Sequence, residues 1–310
     1  MANGLFGWVH LQDFGPEWWE HRDWSSIRRC ILRELQGDVR GDCGLWCALC
    51  LTGNMTRTGT PAEFNKLDEE LKILQDGLAS SASTPRLFVV PGNRDLVRPG
   101  LEHGAIVDIL RHHAEHADVE HALWVTKNQL LHAPIQKAFT AYTEWLRKNF
   151  LPFTGIMPGD FYSHVMVNDS SDMTVGVVGL NSVALQLGEG VYESGLLHPR
   201  QFESSGLNIG KSWFQEHIAV LLLTRHAPDK LTARSRTDYS GTFAPQGRFA
   251  RHLHGGNAEP FQFSVGGFRI DEPGAVHGIQ YRYSVQRGQD GVFRVLQSAE
   301  RESFRVIRPR

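Results

Sequence analysis

Leu87-Phe88-Val89-Val90-Pro91-Gly92-Asn93-Arg94-Asp95 decides the fold. Four apolar residues with β-branched character run into Pro-Gly, the pattern of a buried strand that ends in a tight turn and presents polar side chains at its carboxyl end. In open α/β folds ligands bind at that end of the sheet. The same shape recurs on both sides of this stretch, at Gly7-Trp8-Val9-His10-Leu11-Gln12-Asp13, Leu49-Cys50-Leu51-Thr52-Gly53-Asn54, Val220-Leu221-Leu222-Leu223-Thr224-Arg225-His226 and His252-Leu253-His254-Gly255-Gly256-Asn257. Five apolar strands therefore each deliver polar residues toward one place.

Between the second and third of these strands, Thr60-Pro61-Ala62-Glu63 combines an N-cap, a proline at the first helical position and a glutamate three residues on. Phe64, Leu67, Leu71, Leu74 and Leu78 follow at helical spacing, and Ser80-Ser81-Ala82-Ser83-Thr84-Pro85 ends the helix. This β-loop-α-loop-β unit predicts a parallel sheet. A second helix is predicted from Ser25 or Ser26 to about Leu35, with Ile27, Ile31 and Leu35 as its buried stripe. Trp18, Trp19 and Trp24 just before it are expected to pack a loop onto the body of the domain. A third helix is predicted from about Ile135 to Phe150. Phe161 to Val167 and Thr174 to Leu180 read as strands joined by a turn at Asn168-Asp169-Ser170-Ser171-Asp172. Gln280 to Val285 and Val292 to Leu296 read as a closing antiparallel pair.

Composition sets further bounds. The chain has 310 residues, 41% hydrophobic and 21% charged, with 32 basic against 34 acidic residues and a net charge of -2. Such a balance gives no global basic field that would point to nucleic acid. The first residues lack a basic start followed by an apolar run, and no stretch approaches the roughly 20 apolar residues of a membrane helix, so the cytoplasm is the expected compartment. Four cysteines are too few for a disulfide framework. Cys43, Cys47 and Cys50 have an iron–sulfur-like spacing, but Cys47 and Cys50 are predicted on opposite faces of a strand, and buried structural thiols are the expected role.

Residues 96–134 read as a His-rich helical insertion in a single domain spanning 1–310. Within it, His112 and His116 fall four apart, on one face if the segment is one helix, with Asp108 a turn earlier. That is a metal-ligand spacing, although a solvated helix face is the favoured reading.

The order of the five turns resembles the calcineurin-like metallophosphoesterases, whose pattern from the amino end is Asp-x-His, Gly-Asp, Gly-Asn-His-Asp, a His closing an apolar strand, and Gly-His-x-His. The counterparts here are Asp13-Phe14-Gly15, Gly53-Asn54, Gly92-Asn93-Arg94-Asp95, Arg225-His226 and Gly255-Gly256-Asn257-Ala258, with Leu253-His254-Gly255 and Glu259-Pro260 framing the last turn. The resemblance runs over roughly residues 5–300. It implies two stacked mixed β-sheets flanked by helices, a four-layer α/β/β/α sandwich with its site where the turns meet.

By the same resemblance, Asp13 and Asn93 keep metal-ligand positions, with His226 a residual candidate beside Arg225, which stands at the ligand-equivalent position. Asn54 replaces a bridging aspartate, and Gly15, Gly256 and Ala258 replace ligand histidines. Arg94 replaces the general-acid histidine, and a guanidinium with a pKa above about 12 cannot protonate a leaving group near neutral pH. Asp95 matches the family. A guanidinium from Arg94 or Arg225 paired with Asp13 or Asp95 would neutralise the carboxylates left without metal.

The expected function is thus a non-catalytic domain acting as an interaction, sensor or effector module, with no cofactor or bound metal and another protein or domain as partner. Two alternatives stay open. One is a metal-free binder of a phosphorylated small molecule or nucleotide, with Arg94 and Arg225 as the anion-binding groups. The other is a phosphoesterase, phosphodiesterase or nuclease with an atypical or single-metal site on Asp13, Asn93, His226 and His254, which would need a divalent ion such as Mn, Zn, Fe or Ni.

Overall fold

The computed structural model describes residues 5–80, 84–113, 116–149, 161–168, 173–188, 192, 194–203, 211–245, 247–256, 261–271, 275–298 and 300–307. Its strands, in chain order, are β1 (Leu5–Leu11), β2 (Trp46–Thr52), β3 (Arg86–Val90), β4 (Phe161–Asn168), β5 (Met173–Leu180), β6 (Ala219–Thr224), β7 (Arg251–His254), β8 (Gln262–Ile270), β9 (Val276–Arg287), β10 (Phe293–Gln297) and β11 (Glu302–Arg305). They form a mixed α/β structure with two sheets. A seven-stranded mixed sheet runs β10-β9-β8-β1-β2-β3, with β11 also on β9. Within it β1, β2 and β3 are parallel, and β8 joins β1 antiparallel. The second sheet runs β4-β5-β6-β7, parallel except for β4.

The alternation of side chains along each strand assigns the layers. Ala48 and Cys50 on β2, Phe88 and Val90 on β3, and Phe6 and Trp8 on β1 share one buried cluster with Val175 and Val177 on β5, Leu221 and Leu223 on β6 and Leu253 on β7. The two sheets therefore face each other across these residues. The intervening Leu49, Leu51 and Val89 turn to the opposite face, where they pack with Ile27 and Ile31 of the Trp24–Leu35 helix and Leu67 and Leu71 of the Pro61–Leu78 helix. On the second sheet Val178, Val220 and Leu222 face outward onto Leu197, Phe214 and Leu231. Strands buried on both faces explain why these segments read as unbroken apolar runs. Each such leucine withdrawn from water contributes about 1.5–3 kcal/mol. The largest group between the sheets, Trp8, lies 4.7 Å from the Phe268 ring, and a Cβ on Gly266 would sit 2.2 Å from its indole. That glycine admits the ring.

Local signals behave as read. Thr60 and Glu63 form a reciprocal capping box with Pro61 in the first turn. Trp18, Trp19 and Trp24 are buried, although Trp18 and Trp19 sit on a short helix, Pro16–Trp19, where a loop was expected, and Phe14, Trp18 and Trp24 meet edge-on or tilted at 5.4–6.0 Å with Phe261 edge-on at 5.4 Å from Trp18. The antiparallel pairing of β9 with β10 is present. β11 carries no signal that sequence reading caught. The turn residues 169–172 lie outside the described residues. No helix among the described residues is long and apolar enough to cross a membrane.

Three expectations are corrected. The helix expected from Ile135 onward is two helices, Gln129–Ala138 and Thr140–Asn149, with the break at Phe139, where the Thr140 hydroxyl bonds back to Gln136 O. His112 and His116 do not share a helical face: the Gly104–Arg111 helix stops before His112, and His116 is the extended N-cap of Ala117–Trp124. The His113 ring donates from Nδ1 to the Leu110 carbonyl, an acceptor that a continuing helix would use, while the His112 ring adds a second donor to the Asp108 carbonyl, which still accepts from the His112 backbone N–H. Cys47 and Cys50, expected on opposite faces, both lie in the cluster between the sheets. A register irregularity at Gly7/Trp8 pairs Trp46 and then Ala48, which leaves Cys47 out of step and turns it inward. Cys43 sits in the other cluster, its thiol pushed up to about 12 by burial, and all four cysteines are free.

Candidate functional site

The five turns come together through glycines. Gly53 and Asn54 both have positive φ, 88° and 53°, as does Asp13 at 47°. Only glycine takes such angles freely, so the two non-glycine residues are held there by their surroundings. A Cβ on Gly53 would lie 2.4 Å from the Arg225 Cδ and 2.9 Å from the Gly92 Cα. One on Gly255 would lie 2.3 Å from the Thr52 carbonyl oxygen and 2.4 Å from Arg225 Nη1. On Gly92 it would meet Asn54 Oδ1 at 2.4 Å, and on Gly15 the Asn54 carbonyl oxygen at 2.3 Å. The turns after β1, β2, β3, β6 and β7 thus close on one another, and the Arg225 side chain threads between Gly53 and Gly255.

Arg225 ends on Asp13. Its Nη1 donates to Asp13 Oδ2 at 3.2 Å, and its Nη2 lies 2.9 Å from Oδ1 as an ion-pair contact without hydrogen-bond geometry; the two side chains are 12% and 23% exposed. Burial pushes the Asp13 carboxyl up from its ordinary value, and this outweighs the stabilisation of the carboxylate by Arg225, by the Asn54 side chain, by Arg94 and by the Gly256 amide.

Asp95 is fully buried and has a different task. One oxygen accepts from Thr56 N at 2.7 Å and Thr56 Oγ1 at 3.0 Å, and the other accepts from Gly92 N at 2.8 Å. It ties the second turn to the third. Burial nonetheless holds its pKa up at about 6. Between them, Asn93 is half-buried, while Arg94 turns outward and gives Nη1 to Glu17 at 2.5 Å. The Arg94 backbone N–H bonds to Asn54 Oδ1 at 3.3 Å.

The histidines form a polar layer behind the pair. His10, 2% exposed, uses both ring nitrogens, Nε2 on Thr52 Oγ1 at 2.8 Å and Nδ1 on Ser264 Oγ at 3.2 Å, and burial lowers its pKa to about 3. His252 is held by Thr224 Oγ1 and the Tyr239 hydroxyl, and His254 packs edge-on against it with Nδ1 on the Gly255 carbonyl. His226 lies under Gly195, where a Cβ would be 2.3 Å from Nδ1. Ser182 Oγ accepts from the His226 backbone N–H and so directs its own proton to Nδ1 at 2.9 Å. Burial, then the neighbouring Arg225, lowers the His226 pKa to about 4.

Sequence reading named Asp13, Asn54, Asn93, Arg94, Asp95, Arg225, His226 and His254. The structure brings Asp13, Asn54, Asp95 and Arg225 into direct or one-step contact, sends Arg94 to the rim and commits His226 to Ser182. Thr52, Thr56, Ser182, Thr224, Ser264 and Glu17 were not foreseen as partners. A threonine closing an apolar run before a turn, as Thr52 and Thr224 do, was the available signal. Asn257, Ala258, Glu259 and Pro260 lie outside the described residues.

Several of these side chains are already engaged by partners within the chain. A guanidinium holds Asp13, Asn54 offers a neutral amide already accepting from Arg94, and His226 Nδ1 faces a hydroxyl. Among the described residues no group of three or more His, Cys, Asp or Glu side chains is arranged to hold a metal ion. What the arrangement does provide is an ion-paired, hydrogen-bonded junction between the two sheets. No protein-family model matches the chain, and no curated protein matches it.

Proposed function

We propose that this chain is a calcineurin-like phosphoesterase scaffold, a four-layer α/β/β/α sandwich, in which a guanidinium has replaced divalent cations at the meeting point of the turns. In this reading it is a non-catalytic module that works by engaging another protein or domain, in the cytoplasm. The observation that supports it is the Arg225–Asp13 pair, seated in a slot that only Gly53 and Gly255 leave open. Two-metal hydrolysis needs oxygen and nitrogen donors converging on cations together with a group able to protonate the leaving oxygen. Here the carboxylate is taken by a cation of the chain itself, and Arg94 cannot release a proton. The phosphate-binding alternative is less well supported, since Arg94 and Arg225 are both already engaged by carboxylates.

The test is metal content and turnover of the purified chain. We expect substoichiometric metal and no hydrolysis of aryl phosphate mono- or diesters with added manganese, zinc or nickel. Turnover that Asp13→Ala abolishes would overturn the proposal.

A further inference from the structure

The outer face of the Trp24–Leu35 helix takes no part in the junction of turns. Ser25, Arg28, Arg29, Leu32, Arg33 and Gln36 recur along it at helical spacing and line a groove of about 380 Å3. Three of the six are arginines. Arg28 is the fixed one, its Nη1 2.5 Å from Glu70 Oε2, which also accepts from the Trp24 indole. Arg29 and Arg33 form no salt bridge among the described residues, and both are exposed. Arg33 lies 3.7 Å from Cys30 Sγ, which itself bonds the Phe293 carbonyl at 3.3 Å on the neighbouring β10. There a fourth arginine, Arg287, lies over the Phe293 ring at 5.7 Å, again with no carboxylate partner among the described residues.

Two features set this groove apart from an ordinary solvated helix face. Arg29 and Arg33 are like charges one turn apart, an arrangement that costs helix stability unless something neutralises it. The chain as a whole carries net charge -2, so this local excess of positive charge is not a general property of its surface. Guanidinium forks match phosphate oxygens two at a time, while the Ser25 hydroxyl and the Leu32 side chain add a hydrogen-bonding group and an apolar wall.

We propose that this groove is a second binding site, for a compact anion carrying two or more phosphate groups. Arg29 and Arg33 grip the phosphates, and Arg28, held by Glu70, forms the rigid end of the groove. The site shares no residue with the Asp13–Arg225 junction and does not depend on how that junction is interpreted.

The experiment is calorimetric titration of the full chain with inorganic tripolyphosphate at low ionic strength, with the Arg29→Gln/Arg33→Gln double variant and Arg94→Gln in parallel. Saturable one-to-one binding is expected, weakened about tenfold for each of the two arginines removed and steeply reduced by added salt. Both substitutions are on exposed positions, and an unchanged circular dichroism melt checks that the variant is folded. No binding by the native chain, binding unaltered in the double variant, or loss in Arg94→Gln instead would overturn the proposal. So would a clear preference for a single-stranded oligonucleotide over tripolyphosphate, since that marks an extended backbone-binding surface and not a compact site.

Discussion

Replacing Arg225 with methionine removes one charge of the junction while keeping most of the stem that lies between Gly53 and Gly255. Losing one member of a fully buried ion pair costs about 3–5 kcal/mol, and losing an exposed one costs about 0–1. At 12% and 23% exposure this pair is nearer the first limit, and a cost of about 2–3 kcal/mol is expected at neutral pH. For a chain of this size that lowers the melting temperature by about 3–5 °C. The penalty has a pH signature. Burial already raises the Asp13 pKa in the native protein, and removing the cation raises it further, so the variant's folded state binds a proton that its unfolded state at the same pH does not. The cost is therefore full above the variant's folded-state pKa and shrinks as pH falls through it, so the melting difference from the parent narrows toward acid pH. A double-mutant cycle with Asp13→Asn, read by urea denaturation, should show the two changes to be less than additive by about 1.5 kcal/mol or more. Additivity within about 0.5 kcal/mol, with each single variant as stable as the parent, would refute the claim that this pair holds the turns together.

Asp95→Asn should destabilise by about 2–3 kcal/mol, because Thr56 N and Gly92 N each need an oxygen and one will face an amide NH2. With its pKa raised from 3.8 to about 6, the native carboxyl makes stability fall as pH rises between about 4 and 6, and denaturation profiles of the asparagine variant should lack that limb. His10 works in the opposite sense: its pKa is lowered from 6.5 to about 3, so the stability it contributes is complete above about 6.5 and is lost as pH drops toward 3. His10→Gln should flatten the decline in melting temperature between pH 6.5 and 4.5, and an unchanged acid limb would assign it to other groups. Thr60→Ala breaks the capping box and should cost about 1 kcal/mol, read as a drop of about 1–2 °C in a thermal melt.

What sequence carries and what it does not can be seen residue by residue. The Pro61–Leu78 helix was legible to within a residue because cap, proline and apolar spacing are local and agree. The runs ending at Leu11, Thr52, Val90 and Thr224 were legible as strands because burial on both faces forces continuous apolar sequence. The break at Phe139 and the separation of His112 from His116 were not, because side-chain hydroxyls and ring nitrogens compete with the helix ladder there at no cost to periodicity. The inward turn of Cys47 depends on a register irregularity against another strand, which no local pattern records.

The candidate site divides the same way. Glycines at 53, 92 and 255 and polar residues after each strand were visible as a set of turns. That Arg225 takes Asp13 and not Asp95, that Arg94 leaves for Glu17 and that Ser182 captures His226 were decided only when segments as far apart as positions 13 and 225 came within about 3 Å. Strand and helix character is written in spacing along the chain, because it depends on neighbours a few residues away. Partnership among charges depends on distance through space and on how much water is excluded, and those quantities exist only once the two sheets have closed on each other.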